Sequence, residues 1–361
     1  MGEKLDKPII NKSPKDGKNN IFRYGMNKIQ GWKQSMEVFN LKEIEIDKEK
    51  NINILGLFDG HSGKEISQYL SENFSNELSK NNNFIKGDYK QALIDSFKNI
   101  DLSLKTEDIN NKLNILSQKN KIEKMQNLYT TVDNKNNLNK NDIDDLNIIM
   151  DVLDPNNIEG VFISDYMGSS GIVVLISNNI TYVANAGNSH CIVINKNLSI
   201  IKKRTIIEQN IYNNEEKKRV KIAKGIKYGK EKEKKYEKDE YLYTRGFGDF
   251  KYKNNNLIDI EAQEISCKPD ILELSNNDIK FLIICNSGFF QSANIFSQNN
   301  NNENIEKNIA NYFINKLKND NKLISDVIGE YFDNYITNEI NKNQNDNENN
   351  LSCIIIDFVN N

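Results

Sequence analysis

Short β-branched runs and longer segments with an apolar residue every third or fourth position follow one another along the chain. IEI (44–46) and INILGLF (52–58), split by the turn-like DKEKN, predict two adjacent strands. After Gly63 the apolar residues Ile66, Tyr69, Leu70, Phe74 and Leu78 fall on one helical face, and Leu93, Phe97, Ile100 and Leu104 predict a second helix. GIVVLIS (171–177), ITYVANAG (180–187) and CIVINKN (191–197) predict a three-strand meander, and the apolar DIKFLIICNSGFF (278–290) reads as a buried strand. Two helices follow, one on Ile305, Ile309, Tyr312 and Phe313 and one on Leu323, Val327, Ile328, Tyr331 and Phe332, before a last strand at LSCIIIDF (351–358). Strands, helices, strands, helices and a strand in that order predict an α+β fold of antiparallel sheets covered by paired helices, not a βαβ repeat.

Polar stretches separate these elements. Residues 1–20, with Pro8, Pro14 and Gly17, read as a flexible lead-in to a domain spanning 21–361. Residues 106–160 are rich in Asn, Lys and Asp without sustained periodicity and predict a disordered insertion. DNKNNLNKNDID within it has Lys135 and Leu138 where a calcium loop needs an acidic ligand and a glycine. A charged stretch at 202–239 ends in KYGKEKEKKYEKDE, a solvated excursion at about 226–240.

The chain has 361 residues, enough for a substantial core, and a formal net charge of -3. It therefore has no global positive field to recruit nucleic acid. No apolar run reaches the roughly 18 residues of a membrane span, and the N-terminus lacks a signal-peptide core. An intracellular protein of the cytoplasm or nucleus, acting as a monomer, is the expectation. Gly2 invites myristoylation, but Asp6 stands where the motif wants Ser or Thr and Glu3 adds charge beside the acceptor, which argues against it. Cys191, Cys267, Cys285 and Cys353 are widely spaced and read as buried free thiols. The two histidines, His61 and His190, are too few for a multi-histidine metal site.

The strand at 52–58 runs into Asp59-Gly60-His61 just before a helix, a corner that could be a phosphate loop, a metal-binding carboxylate or a plain Asp-Gly turn. A phosphate loop ending at Gly63-Lys64 would need glycine at 58 and a hydroxyl at 65; Phe58 and Glu65 stand there. Spacing leaves the other two readings open.

RYGMNKIQGWKQSMEVF (23–39), GLFDGHSGKE (56–65), GSSGIVVLIS (168–177), YVANAGNSH (182–190), EEKKRVKIAKG (215–225), TRGFGDFKYK (244–253), FLIICNSGFFQ (281–291) and NNLSCIIIDF (349–358) occur in the order found in the type 2C, metal-dependent serine/threonine protein phosphatases. The chain resembles that family along nearly its whole length. The resemblance implies an αββα sandwich of two antiparallel sheets flanked by helix pairs, with two Mg²⁺ or Mn²⁺ ions about 3.5–4 Å apart in an edge cleft. It assigns Glu37, Asp59 and the Gly60 carbonyl as metal ligands, His61 as a general acid and Lys33 to the place of a phosphate-binding arginine. Gly25, Trp32, Gly168, Gly187, Arg245, Gly248, Asp249 and Phe250 match positions that look architectural.

The departures from the family concentrate on charge. Where its pattern has acidic residues, this chain has Val38, Asn188, Ser287, Gln291 and Asn349. Two remaining carboxylates cannot balance two divalent ions, so at most one weakly bound Mg²⁺ or Mn²⁺ is expected, at Glu37, Asp59 and Gly60. The resemblance with these losses implies a pseudophosphatase with little or no turnover that binds or scaffolds phosphoproteins or kinases. The alternatives are an active Mg²⁺/Mn²⁺-dependent phosphatase holding two ions through an altered ligand set, and structural assembly through the charged insertions. His190, where the family commonly has arginine, is expected as an exposed surface residue.

Overall fold

The computed structural model describes residues 5–41, 44–132, 162–201, 209–224, 243–293, 302–318, 322–342 and 349–359. The first half contains β1 (Lys15–Lys18), β2 (Phe22–Ile29), β3 (Val38–Asn40), β4 (Glu45–Asp47), β5 (Ile52–His61), α1 (Glu65–Ser79), α2 (Asn82–Lys86), α3 (Tyr89–Ser103) and α4 (Glu107–Val132). Then come β6 (Gly168–Ile176), β7 (Ile180–Ala186), β8 (His190–Asn195), α5 (Asn214–Ala223), β9 (Phe247–Gly248), β10 (Asp270–Ser275) and β11 (Ile279–Cys285). The chain closes with α6 (Ser287–Ser292), α7 (Asn302–Leu317), α8 (Ile324–Lys342) and β12 (Leu351–Phe358).

Two sheets form. One has the order β1-β2-β12-β11-β8, so the last strand pairs with β2 near the start of the chain; the other has the order β10-β7-β6-β5-β3, with β4 beside β5 and β9 beside β6. Every ladder between named strands is antiparallel. Between the sheets lie Phe22, Met26, Leu55, Leu57, Ile172, Val174, Leu282, Ile284, Ile354 and Ile356. The alternate residues Ile283 and Ile355 pack with Phe289, Phe313 and Tyr331 from α6, α7 and α8. On the far side Phe58 and Val173 pack with Phe74 of α1 and Phe97 of α3. Both faces of the central strands are covered, which is why they read as unbroken apolar runs.

The lead-in is more ordered than its composition suggests. β1 pairs with β2, and Ile9 and Gly31 exchange backbone hydrogen bonds at 2.8 and 3.0 Å. Asp16 accepts from the Ser325 amide at 3.0 Å, and a Cβ on Gly17 would lie 2.4 Å from Cε1 of Tyr24, so glycine lets this strand close onto the ring. The insertion expected to be disordered begins as α4, whose inward positions Asn110, Leu113 and Ser117 have helical spacing but are mostly polar. Residues 133–161, including the candidate calcium loop, and 225–242, including the charged excursion, lie outside the described residues.

The meander is also corrected. β6 and β7 pair, but β8 crosses to the other sheet and pairs with β11; positive φ at Gly187 (φ 125) marks the departure. The strand expected at 278–290 stops at Cys285, because the Asn286 side chain accepts from the Phe289 amide and starts α6. All four cysteines are buried free thiols.

Candidate metal corner and cleft

β5 carries Leu55, Leu57 and Asp59 on its inward face, so Asp59 stands where the apolar inter-sheet layer gives way to polar residues at one end of the sandwich. Val38 on β3 and Ser170 on β6 are its register partners. The chain then turns through Ser62 (φ 61) and Gly63 (φ 145) into α1. Gly60 has no room for a side chain: an added Cβ would lie 2.7 Å from both the Gly63 carbonyl and Ser67 Oγ.

Glu37 enters the corner from the loop before β3. Its carbonyl accepts from the Gly60 amide (3.0 Å) and Ser67 Oγ (2.6 Å), while its amide donates to Asn350 Oδ1 (2.8 Å). Its carboxylate, on a residue 7% exposed, accepts from Ser35 Oγ at 2.8 Å and forms an ion pair with Lys33. Lys33 therefore sits on Glu37.

Asp59 Oδ2 accepts from Asn286 Nδ2 at 3.1 Å. Burial pushes this carboxyl above its ordinary pKa, against the nearby Lys33 charge and the Asn286 hydrogen bond. Asn286 is fully used: Nδ2 also donates to the Asn350 carbonyl at 2.8 Å, and Oδ1 accepts from the amides of Phe289 (3.2 Å) and Ser352 (2.9 Å). One buried amide thus joins β11, α6, β12 and the strand that carries Asp59.

His61 points to a different cluster. Its Nε2 lies 2.7 Å from Asp249 Oδ2 and contacts the Tyr243 hydroxyl, which also reaches Asp249 at 3.3 Å. Burial, with the Asp249 charge next, raises the Tyr243 phenol well above its ordinary pKa. A Cβ on Gly168 would meet both Asp249 Oδ2 (2.2 Å) and His61 Nε2 (2.5 Å), so glycine keeps space for the pair.

The positions where acidic residues were expected divide into two groups. Val38 is fully buried in the inter-sheet core, and as the register partner of Asp59 its side chain stands beside that carboxylate on the same face. Ser287 opens α6, and a Cβ on Gly288 would lie 2.4 Å from the Asn350 carbonyl and 2.6 Å from Asn349 Cβ, so this helix start rests on the 349–350 turn. Asn349 Nδ2 faces Gln291 Oε1 at 3.5 Å; Asn188 lies in the bend between β7 and β8. His190 is not a free surface group: its ring lies flat on Phe290, 3.6 Å between centroids and 3° between planes, and burial pulls its pKa down to about 3.

Asn286, Asn350, Asp249 and Tyr243 were not assigned to the corner by the sequence. Asn286 and Asn350 lie inside the resembling blocks, and Asp249 matches a position that looks architectural; Tyr243 carries no signal in the sequence.

Two Mg²⁺ or Mn²⁺ ions require several anionic oxygens around a shared center. Among the described residues no group of three or more His, Cys, Asp and Glu side chains is arranged to hold a metal. Glu37 and Asp59 converge, but one is paired with an ammonium and the other with an amide. The donor set does not fit a dinuclear center.

Solved structures that share this arrangement of sheets and helices include phosphatases. A phosphatase from Toxoplasma gondii superposes with a TM-score of 0.60 at 14% identity over 97% of this chain and 96% of its own, and a bacterial serine phosphatase with 0.51 at 13% over 94% and 98%. The protein phosphatase 2C profile matches residues 22–117 and 110–295, and this chain belongs to that family. Probable protein phosphatase 2C 2 of Paramecium tetraurelia is 26% identical over 297 residues, 81% of each chain. Probable protein phosphatase 2C 60 of Arabidopsis thaliana is 26% identical over 291 residues, 79% of this chain and 76% of its own.

Proposed function

We propose that this protein phosphatase 2C domain is a pseudophosphatase that binds or scaffolds a phosphoprotein or a kinase and has little or no turnover. One observation carries the reading: the two carboxylates of the corner are committed to Lys33 and Asn286, while Ser287, Gln291 and Asn349 add no negative charge. At most one ion would be held, by Glu37, Asp59 and the Gly60 carbonyl. Lys33, the candidate phosphate contact, is engaged by Glu37, so the partner is recognised by surfaces around the cleft and not by a phosphate seated at the corner. Among the described residues no helix is long and apolar enough to cross a membrane.

The second reading is an active Mg²⁺/Mn²⁺-dependent serine/threonine phosphatase. It is favored by the relatives named as phosphatases and by His61, two residues from Asp59 on the same strand and held by Asp249. A phosphopeptide assay in millimolar Mn²⁺ separates the two. The pseudophosphatase reading expects no release of phosphate above background, and turnover abolished by Asp59→Ala would replace it with the second.

A further inference from the structure

Lys33 and Glu37 are four residues apart, but they lie in an irregular loop between β2 and β3, so helical spacing does not bring them together. The loop is shaped by side-chain amides. Gln30 Nε2 donates to the Lys33 carbonyl at 2.8 Å, and Asn350 Nδ2 donates to the carbonyls of Gln30 (2.9 Å) and Ser35 (3.0 Å). With Asn350 Oδ1 on the Glu37 amide, this folds the loop so that the ammonium meets a buried carboxylate. A buried carboxylate needs a counter-charge or it must take up a proton.

We propose that Lys33 is the built-in counter-cation of the cleft: its ammonium balances Glu37, the corner is complete without a divalent ion, and an incoming hard cation must displace the lysine to bind. The inference deepens the pseudophosphatase reading and rests on it. Two further features agree with it: Ser35 Oγ donates to the other Glu37 oxygen at 2.8 Å, and Asn286 Nδ2 donates to Asp59 at 3.1 Å. A pair of divalent ions added to these groups would leave the corner strongly positive.

Thermal unfolding of the full chain in EDTA and in millimolar Mn²⁺, with titration calorimetry using Mn²⁺ alone, tests this. The wild-type midpoint should be the same in both conditions. Lys33→Met should unfold at lower temperature in EDTA, recover in Mn²⁺ and bind Mn²⁺ at least about tenfold more tightly than wild type. Lys33→Met/Glu37→Gln, which removes both charges, should regain the midpoint in EDTA and lose the Mn²⁺ response. If Lys33→Met does not fold, Lys33→Arg, which keeps the charge, is the comparison and should match wild type. A wild-type protein stabilised by Mn²⁺ as strongly as Lys33→Met, or a Lys33→Arg protein that newly responds to Mn²⁺, overturns the proposal. Phosphopeptide turnover by wild type would defeat the pseudophosphatase reading alone, because the Lys33 comparison is read from midpoints and affinity.

Discussion

Asn286 Nδ2 donates to Asp59 Oδ2 at 3.1 Å, and this bond ties the end of β11 in one sheet to the end of β5 in the other. It sits where the sandwich opens into its cleft and where the apolar layer between the sheets no longer holds them together. Asn286→Ala removes this bond, the cap of α6 and the partner of the Ser352 amide, leaving buried groups unpaired. The expected cost is about 2–4 kcal/mol, read as a lower urea midpoint with an unchanged slope.

The position of Val38 changes how the missing charges can be restored. Ser287→Asp with Asn349→Asp places two carboxylates at the helix start and turn beside Asn286, and Mn²⁺ affinity measured by calorimetry should rise by roughly tenfold or more. Adding Val38→Asp buries a carboxylate beside Asp59 at the edge of the apolar inter-sheet layer, so it should lower thermal stability in EDTA, with part of the loss recovered in Mn²⁺. An equal loss in EDTA and in Mn²⁺ would show that the added carboxylate takes no part in binding.

The buried Glu216 carboxylate should make stability depend on acid. Burial of Glu216 on α5 would raise its pKa, but hydrogen bonds from Arg245, the Arg219 charge and Thr244 outweigh it and bring the carboxyl from 4.5 to about 2. Arg219 Nη2 and Arg245 Nη2 each donate to it at 2.6 Å. A depressed folded pKa means the stabilisation is fully present above about 4.5 and is lost as the pH falls toward 2. Glu216→Gln should cost about 3–5 kcal/mol at neutral pH, and its deficit should shrink between pH 4.5 and 2. Urea midpoints of both proteins across that range check it.

Lys253 and Asp101 form an ion pair at 2.7 Å with both side chains fully buried. Asp101 also accepts from the Gly248 amide at 2.8 Å, next to Asp249 and the His61 cluster. Lys253→Met strands the carboxylate and should cost about 3–5 kcal/mol. Lys253→Met/Asp101→Leu should be less destabilised than the single variant; a double variant worse than the single one would show that the Gly248 contact dominates.

Strands buried on both sides were legible in the sequence because their apolar runs are unbroken, as at INILGLF and LSCIIIDF, and α1 and α3 because their buried faces are apolar. α4 was not, since its inward row Asn110, Leu113, Ser117 and Asn120 is mostly polar; Asn120 Nδ2 donates to Glu65 Oε1 at 3.0 Å instead of packing apolar surface. β1 is the polar KDGK and shows no periodicity. The crossing of β8 could not be read because pairing partners are chosen by tertiary packing, and a strand sequence suits either sheet. At the corner, Glu37 and Asp59 were found through resemblance. The amide clamps of Asn286 and Asn350 were missed because each joins segments far apart in the chain, and an asparagine in sequence carries no sign of its partners.

Anomalous scattering from crystals soaked in Mn²⁺ counts directly how many ions this corner can hold. No pair of peaks is expected, and at most one weak peak between Glu37 and Asp59, with Lys33 displaced where it is occupied. Two fully occupied peaks bridged by Asp59 would contradict this expectation.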